Sequence, residues 1–405
     1  MKFNKTITVL AAVIGLAAVS NAEVIYITGS TAFRAQEYQG LLDMGLTAVQ
    51  PTGASSSSST ITYTGTVGNT LPNGTALASH GHALTVYASY AGSGSGCSIV
   101  AHKASPTYLT TAGANTTYAN GADLAFCDVF QSSTTTPTPA LDELASVDGT
   151  NSSAGAGMAV VCFTWAASAD CAGTIKNITE GNISDLINGG SETKSFITGS
   201  TNDTATVFLT GRDNDSGTRI TAELDCNQAT GAFDPSQGIQ QYTINGNNNT
   251  PVAGGHFAAD AFNSGYSSGG NVVKALNVVG AGQALGYVSM SDASALANGA
   301  IPVSYLGINP ITGGAWTGGN NAATPWNFQA IEAGAYPFWS YEHMYYDHTV
   351  NALNSFTIQT FGNDFINAIQ YEITHPAAGV NQSADLISNM KVHRTGDGGF
   401  PLAGN

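Results

Sequence analysis

The sequence predicts an α/β fold of two lobes, with mixed sheets flanked by helices, and three observations carry that expectation. Short apolar runs of strand length alternate with segments of helical spacing along most of the chain. The chain has 405 residues, more than one hydrophobic core usually organises. Several of the apolar runs end directly in polar, glycine-rich clusters, as strands do where they meet ligand-binding loops in open α/β sheets.

The elements follow in order. Residues 24–27 read as a short buried strand, and Gly29, Ser30 and Thr31 come directly after it. Residues 32–46 have helical spacing, with Phe33, Tyr38, Leu41, Leu42 and Leu46 as the apolar members. Residues 52–75 are rich in Ser, Thr and Gly and read as an exposed hairpin or loop insertion. Residues 84–90 form a second strand, 122–126 a third and 158–165 a fourth, the last apolar almost throughout. A helix is expected over 178–186, where Thr179-Glu180 and Ser184-Asp185 place acceptors ahead of short apolar steps. Residues 206–209 read as a strand, 211–218 as a polar loop, and 219–224 as the helix it enters. A strand at 285–290, an aromatic extended segment at 336–346 and closing helices at 363–372 and 384–390 complete the pattern.

The amino terminus predicts export. Lys2 and Lys5 precede an apolar stretch over 7–19, broken only by Thr8, and Ser20-Asn21-Ala22 supplies small residues for cleavage. That stretch is too short to span a hydrocarbon layer of ~30 Å as a helix. The mature chain is expected to start at Glu23, leaving 383 residues and no later segment apolar enough for membrane insertion. No cysteine follows the apolar stretch, so a periplasmic or secreted protein without a lipid anchor is expected.

Loss of Lys2 and Lys5 moves the net charge from −16 to −18. Such a chain repels nucleic acid and anionic lipid, and neither is expected as a partner. A small anion is not excluded, because local donors outweigh a distant, screened field. Of the five cysteines, Cys162 and Cys171 are the expected disulfide because they are close in sequence, and an odd count leaves at least one thiol free. No spacing matches a zinc site, and neither a metal nor a cofactor is expected.

Four polar clusters each end an apolar run: Thr28-Gly29-Ser30-Thr31, Gly92-Ser93-Gly94-Ser95-Gly96, Asp123 to Asp128, and Arg212 to Thr218. Helix N-termini at such strand ends present unpaired N–H groups and a positive dipole end, which favour an anion. Glycine admits close backbone approach, Ser and Thr add hydroxyl donors, and Arg212 adds a full charge.

In these clusters the sequence resembles the phosphate-binding proteins of bacterial ABC importers, which have the type II periplasmic-binding-protein fold. The most specific match is Arg-x-x-x-Ser-Gly-Thr, standing here as Arg212, Ser216, Gly217 and Thr218. Gly94-Ser95-Gly96 matches a Gly-Ser-Gly step, the segment ending at Asp128 resembles Asp-x-Gly/Ala-x-Ser-Asp, and the first cluster resembles a strand-Thr-Gly-x-x-Thr start ending at Thr31. Leu285-Gly286-Tyr287-Val288-Ser289 looks like an Ile-Gly-Tyr-Val strand and Tyr336-Pro337 like a Tyr-Pro strand. The departures are a displaced aromatic at Phe33, Cys127 where Ser is common, and insertions at 52–75 and 313–324.

The resemblance implies a non-enzymatic, exported solute-binding protein that captures an oxyanion, inorganic phosphate first, in an interlobe cleft for delivery to an ABC permease. Lobe one is expected over 23–157 plus C-terminal helices at 347–405, and lobe two over 163–335. The implied phosphate-binding residues are Ser30, Thr31, Ser95, Gly96, Asp128, Arg212, Ser216, Gly217 and Thr218. Asp128 would accept the proton of hydrogen phosphate and reject sulfate, which has none; the alternative role is a helix cap.

Two other readings compete. Gly265-Tyr266-Ser267-Ser268-Gly269 fits Gly-x-Ser-x-Gly, with Asp347, His348 and His375 downstream, which would make Ser267 a hydrolase nucleophile; that elbow requires a strand directly before it. A secreted structural or adhesive protein could keep the fold without transport. His80-Gly81-His82 and the 341–348 segment lack a third metal ligand at a defined spacing, and His343 and His348 are expected to pack beside Tyr345 and Tyr346.

Overall fold

In the computed structural model, the alternation of strand and helix is realised as a large mixed sheet with helices against it. The structure describes residues 22–49, 55, 57–104, 106–109, 114–118, 121–144, 157–171, 173–226, 238–261, 264–310, 328–349, 353, 356–377 and 384–404. The export segment before Ala22 and the 313–324 insertion lie outside them.

The chain opens with β1 (Glu23–Gly29), α1 (Arg34–Asp43), β2 (Thr47–Val49), β3 (Thr60–Thr66), β4 (Ala83–Ser89), α2 (Ser93–His102) and β5 (Leu124–Cys127). β1 lies between β4 and β5 and runs parallel to both, so the three C-terminal ends meet at one edge. Side chains alternate across the pleat. On β5, Leu124 and Phe126 join the main core, where Phe126 meets Phe365 edge-on at 5.4 Å. Ala125 and Cys127 face the other way, into a separate cluster with Cys97 and Val100 of α2.

The next elements are β6 (Ala159–Ala167), α3 (Glu180–Gly189), β7 (Ser191–Thr193), β8 (Thr206–Thr210), α4 (Gly217–Asp225), α5 (Gly269–Leu276) and β9 (Gln283–Ser289). β8 and β9 are parallel, and β6 runs antiparallel to β9. α3 starts where its acceptors predict. Thr179 Oγ1 accepts from Asn182 N at 3.3 Å, and Asn182 Oδ1 accepts from Thr179 N at 3.0 Å. That reciprocal pair satisfies two of the helix's orphan donors.

The last long elements are β10 (Trp339–Tyr346) and α6 (Ile358–Thr374), and among the described residues only short strands and turns follow them. α6 buries Phe361, Phe365, Ile366 and Ile369 in the main core, and α1 packs beside it. Burial of each such side chain contributes about 1.5–3 kcal/mol. Asp364 of α6 accepts from Ser79 N at 2.7 Å and Ala78 N at 3.1 Å, tying the segment before β4 to this helix.

The sheet order is β7-β8-β9-β6-β10-β5-β1-β4-β3-β2. Its two halves join through β6 and β10, and each of these strands changes partner midway. Residues 159–162 of β6 pair with β10, and residues 163–167 pair with β9. Residues 339–342 of β10 pair with β6, and residues 343–346 pair with β5. Every residue of both strands is buried, which is why they read as unbroken apolar or aromatic runs.

Three expectations are corrected. Residues 60–66 are not an exposed insertion but β3, paired with β4 over seven positions, with Ile61 and Tyr63 fully buried. Its four threonines are β-branched strand formers rather than loop residues. Residues 384–390 are not a helix: Ala384 and Asp385 pair with Val161 and Val160, and a 3₁₀ turn covers 387–389. Asp385 Oδ1 accepts from Leu386 N at 2.8 Å and Asn389 Nδ2 at 2.7 Å, which fixes that local turn. Cys162 and Cys171 do not pair; all five cysteines are free and buried. An extended β6 carries Cys162 away from Cys171 at about 3.3 Å per residue.

Candidate anion-binding site

The site forms where the C-terminal ends of β1, β4 and β5 face the loop that leaves β8. β1 ends at Gly29, and Ser30 N then donates to Phe126 O at 2.9 Å, holding the first cluster beside the third. β4 ends at Ser89, and Gly92 N donates to Gly29 O at 2.9 Å, bringing the second cluster in as well. Gly92 adopts φ 105°, which side chains other than glycine's rarely allow, and α2 begins at the next residue. From the other half of the sheet, Asp215 O accepts from Gly94 N at 2.8 Å, so the fourth cluster is in direct backbone contact with the second.

Asp128 lies at the centre. It is almost fully buried between the first residues of two helices, Ser93 of α2 and Gly217 of α4. Ser93 Oγ donates to Asp128 Oδ1, and Thr218 Oγ1 donates to Oδ2 at 3.5 Å. Asp128 N in turn donates to Ser93 Oγ at 3.3 Å. A side chain on Gly217 would overlap the carboxylate, its Cβ falling 1.7 Å from Oδ1, so only glycine permits this approach. Burial pushes the Asp128 carboxyl up; the Ser93 hydrogen bond and the Arg212 charge oppose that shift.

Arg212 is buried in the same region, and its guanidinium is engaged within the protein. Nε donates to Tyr266 O at 3.2 Å and Nη2 to Ser267 O at 3.1 Å, while its N–H donates to Tyr287 Oη at 3.3 Å. Arg212 therefore holds the turn ahead of α5 as well as supplying positive potential near Asp128. Ser216 caps α4, accepting from Arg219 N at 3.4 Å. Arg219 is tied to Glu223 at 2.7 Å and to Asn214, which stiffens the loop from 212 to 219.

The remaining predicted residues lie around this centre in different roles. Ser30 Oγ accepts from Phe33 N at 3.3 Å at the start of α1. Thr31 is buried with a hydroxyl that has no hydrogen-bond partner among the described residues. Gly96 packs against the backbone of Gly29, where a Cβ would come within 2.7 Å of its Cα. Ser95 is half-buried; Ser93, one helical position away from the Gly-Ser-Gly match, is the serine that meets Asp128.

A cleft of ≈ 740 Å³ opens between the starts of α1 and α5, and a carbonyl that Arg212 holds belongs to Ser267 on its wall. Thr31, Arg34 and Tyr90 line one wall and Ser267, Ser268 and Asn271 the other. Arg34 lies 5.9 Å over the Tyr90 ring. Of these, Thr31 is one of the predicted binding residues and Ser267 was named only as a hydrolase candidate, while Arg34, Tyr90, Ser268 and Asn271 were missed as site residues in the sequence. A signal existed in Ser268, whose hydroxyl accepts from Asn271 N at 3.3 Å as the N-cap of α5.

The hydrolase motif has a different local structure from an elbow. The strand Phe257–Ala259 stops short of it, and Asp260 Oδ2 accepts from Gly265 N at 2.7 Å and Ser264 N at 3.1 Å in a tight loop. His343 Nδ1 meets Glu143 Oε1 at 2.7 Å, and its ring lies against Phe130 and Tyr345. Among the described residues, no three His, Cys, Asp or Glu side chains converge as a metal set. No helix among them is long and apolar enough to cross a membrane.

No protein-family model and no curated protein matches the chain. Among solved structures it is similar to a protein named as a phosphate ABC transporter substrate-binding protein with bound phosphate, from Clostridium perfringens. That similarity has 14% identity over 87% of this chain and 97% of that one, with a TM-score of 0.43. The chain is also similar to an ABC-type phosphate transport receptor from Vibrio cholerae, with 11% identity over 87% of this chain and 95% of that one, at a TM-score of 0.37.

Proposed function

We propose that this chain is an exported solute-binding protein that captures an oxyanion, inorganic phosphate first, for delivery to an ABC permease. The observation that carries the reading is Asp128, buried between the starts of α2 and α4 with hydroxyl donors from both halves of the sheet. Helix N-termini concentrate N–H donors and positive potential, while a buried carboxylate among them accepts a proton rather than tolerating a second full charge. Hydrogen phosphate and arsenate bring that proton, and sulfate does not.

In this reading the two halves of the sheet act as lobes, over 23–157 with 347–405 and over 163–335. Ser30, Thr31, Ser95 and Gly96 stand on the first lobe with Asp128. Arg212, Ser216, Gly217 and Thr218 stand on the second. A ligand held by both sides favours the closed arrangement in which Gly94 meets Asp215. No chemical step is required of any residue.

The test is ligand-dependent thermal stabilisation of the mature protein in phosphate, arsenate, sulfate and molybdate. Phosphate and arsenate should raise Tm, and sulfate should not. No shift with any of the four anions would overturn the reading.

A further inference from the structure

We propose that the oxyanion is the head group of a phosphomonoester, bound as the monoanion that keeps one proton for Asp128, whose polyhydroxylated organic part occupies the cleft between α1 and α5. The proposal rests on the oxyanion reading above and names its substrate class. Three observations carry it.

The first is size. Pockets of about 300–1,000 Å³ suit organic ligands, and the ≈ 740 Å³ here falls within that range, far beyond the need of a five-heavy-atom anion. The second is Thr31, which lines the cleft one residue after Ser30, whose N–H donates to Phe126 O at 2.9 Å in the third cluster. The Thr31 hydroxyl is buried without a partner among the described residues, a condition that costs about 1–3 kcal/mol and that a ligand oxygen would relieve. Across from it, Ser267 lines the cleft while its carbonyl is held by Arg212, whose charge also acts on Asp128, so this arginine-bound turn connects the two regions.

The third is the chemistry of the walls. Arg34 and Lys274 bring positive charge, but Asp292 also lines the cleft, so a second anionic group would be opposed there. Asp292 and Asn271, with the serines around them, suit hydroxyl groups instead: a carboxylate accepts, and an amide both accepts and donates. A neutral, hydroxyl-bearing extension on a single phosphoryl group fits this mixture; a bare anion leaves it unused.

Calorimetry on the mature protein tests this at pH ~5.5, where a phosphomonoester with a second pKa of about 6 keeps one proton, with orthophosphate, glycerol 3-phosphate, glucose 6-phosphate and glycerol as titrants. At least one ester should bind about tenfold or more tightly than orthophosphate, equivalent to ~1.4 kcal/mol. Ala295→Trp and Ala35→Trp, each filling the cleft from one wall, should weaken ester binding by about tenfold or more and leave orthophosphate within about twofold. Two positions guard against one variant failing to fold. Orthophosphate binding as tightly as both esters, or a tryptophan that weakens both ligands equally, would overturn the proposal while leaving the anion reading intact. Binding of no phosphoryl compound at all would overturn both.

Discussion

Gly217→Ala probes the centre of the site with a single methyl group. The new Cβ would stand 1.7 Å from Asp128 Oδ1, 2.6 Å from its Cγ and 2.8 Å from Ser93 Oγ, where ordinary contacts are 3.4–4 Å. The Asp128 carboxyl must therefore withdraw by well over an ångström, which strains or breaks its hydrogen bonds from Ser93 and Thr218. Hydrogen bonds to a charged group contribute about 1.5–3 kcal/mol each. Loss of one on the ligand-bound state corresponds to roughly a 10–100-fold weaker phosphate complex. Stability should change less. Overpacking costs about 1–3 kcal/mol, and the gain in helix propensity from glycine to alanine offsets up to about 1 kcal/mol. Gly181→Ala in α3 is the control, because the atom nearest its added Cβ would be Thr179 Oγ1 at 3.8 Å. Urea denaturation and phosphate calorimetry on both variants provide the readout. A folded Gly217→Ala protein with wild-type phosphate affinity would refute the placement of the anion beside Asp128.

Other substitutions separate the remaining roles. Asp128→Asn keeps the shape but replaces part of the acceptor with a donor, so the ratio of phosphate to sulfate affinity should fall; competition titrations that return an unchanged ratio reduce Asp128 to a helix cap. Arg212→Ala should weaken phosphate binding by about 1.5–3 kcal/mol and also lower Tm, because Tyr266 O and Ser267 O lose their donor. Calorimetry with affinity unchanged would remove Arg212 from the site. Glu372 has its carboxyl pushed up to about 7, chiefly by burial, so the folded protein holds a proton there that the unfolded chain releases above pH ~4.5. Its contribution is full below that pH and is lost as pH rises toward 7, an effect of order 1–3 kcal/mol. Glu372→Gln should flatten that part of the stability profile in urea titrations from pH 4.5 to 8, and an unaltered slope would contradict the assignment.

Much of the framework was legible because burial on both faces writes itself as apolar runs. β6 and β9 were readable in this way, and so was the aromatic β10. β3 was missed because threonine and serine hid a strand whose buried members are Ile61 and Tyr63. The polar clusters at strand ends were legible as clusters, yet their contacts were not. The offset of two helical positions that turns Ser93, not Ser95, toward Asp128 depends on where α2 starts. Arg34, Ser268 and Asp292 come together only through tertiary packing, and no local pattern links them. The disulfide expectation failed for a related reason, since nearness in sequence is not nearness in space along an extended strand.

The exchange of partners within β6 and β10 has a consequence for how this chain must be made. Neither half of the sheet can complete its own hydrogen bonding. β5 finds its outer neighbour in a strand more than two hundred residues later, and β9 relies on a strand whose other end belongs elsewhere. During synthesis the leading half would present the bare edge of β5 until β10 emerges, and bare edges recruit other chains. The halves should therefore melt as one cooperative unit rather than in two steps, and a fragment ending before β6 should aggregate. Under the proposed export, such a chain profits from crossing the membrane unfolded, because it then acquires both edges and the strands that seal them in the same compartment.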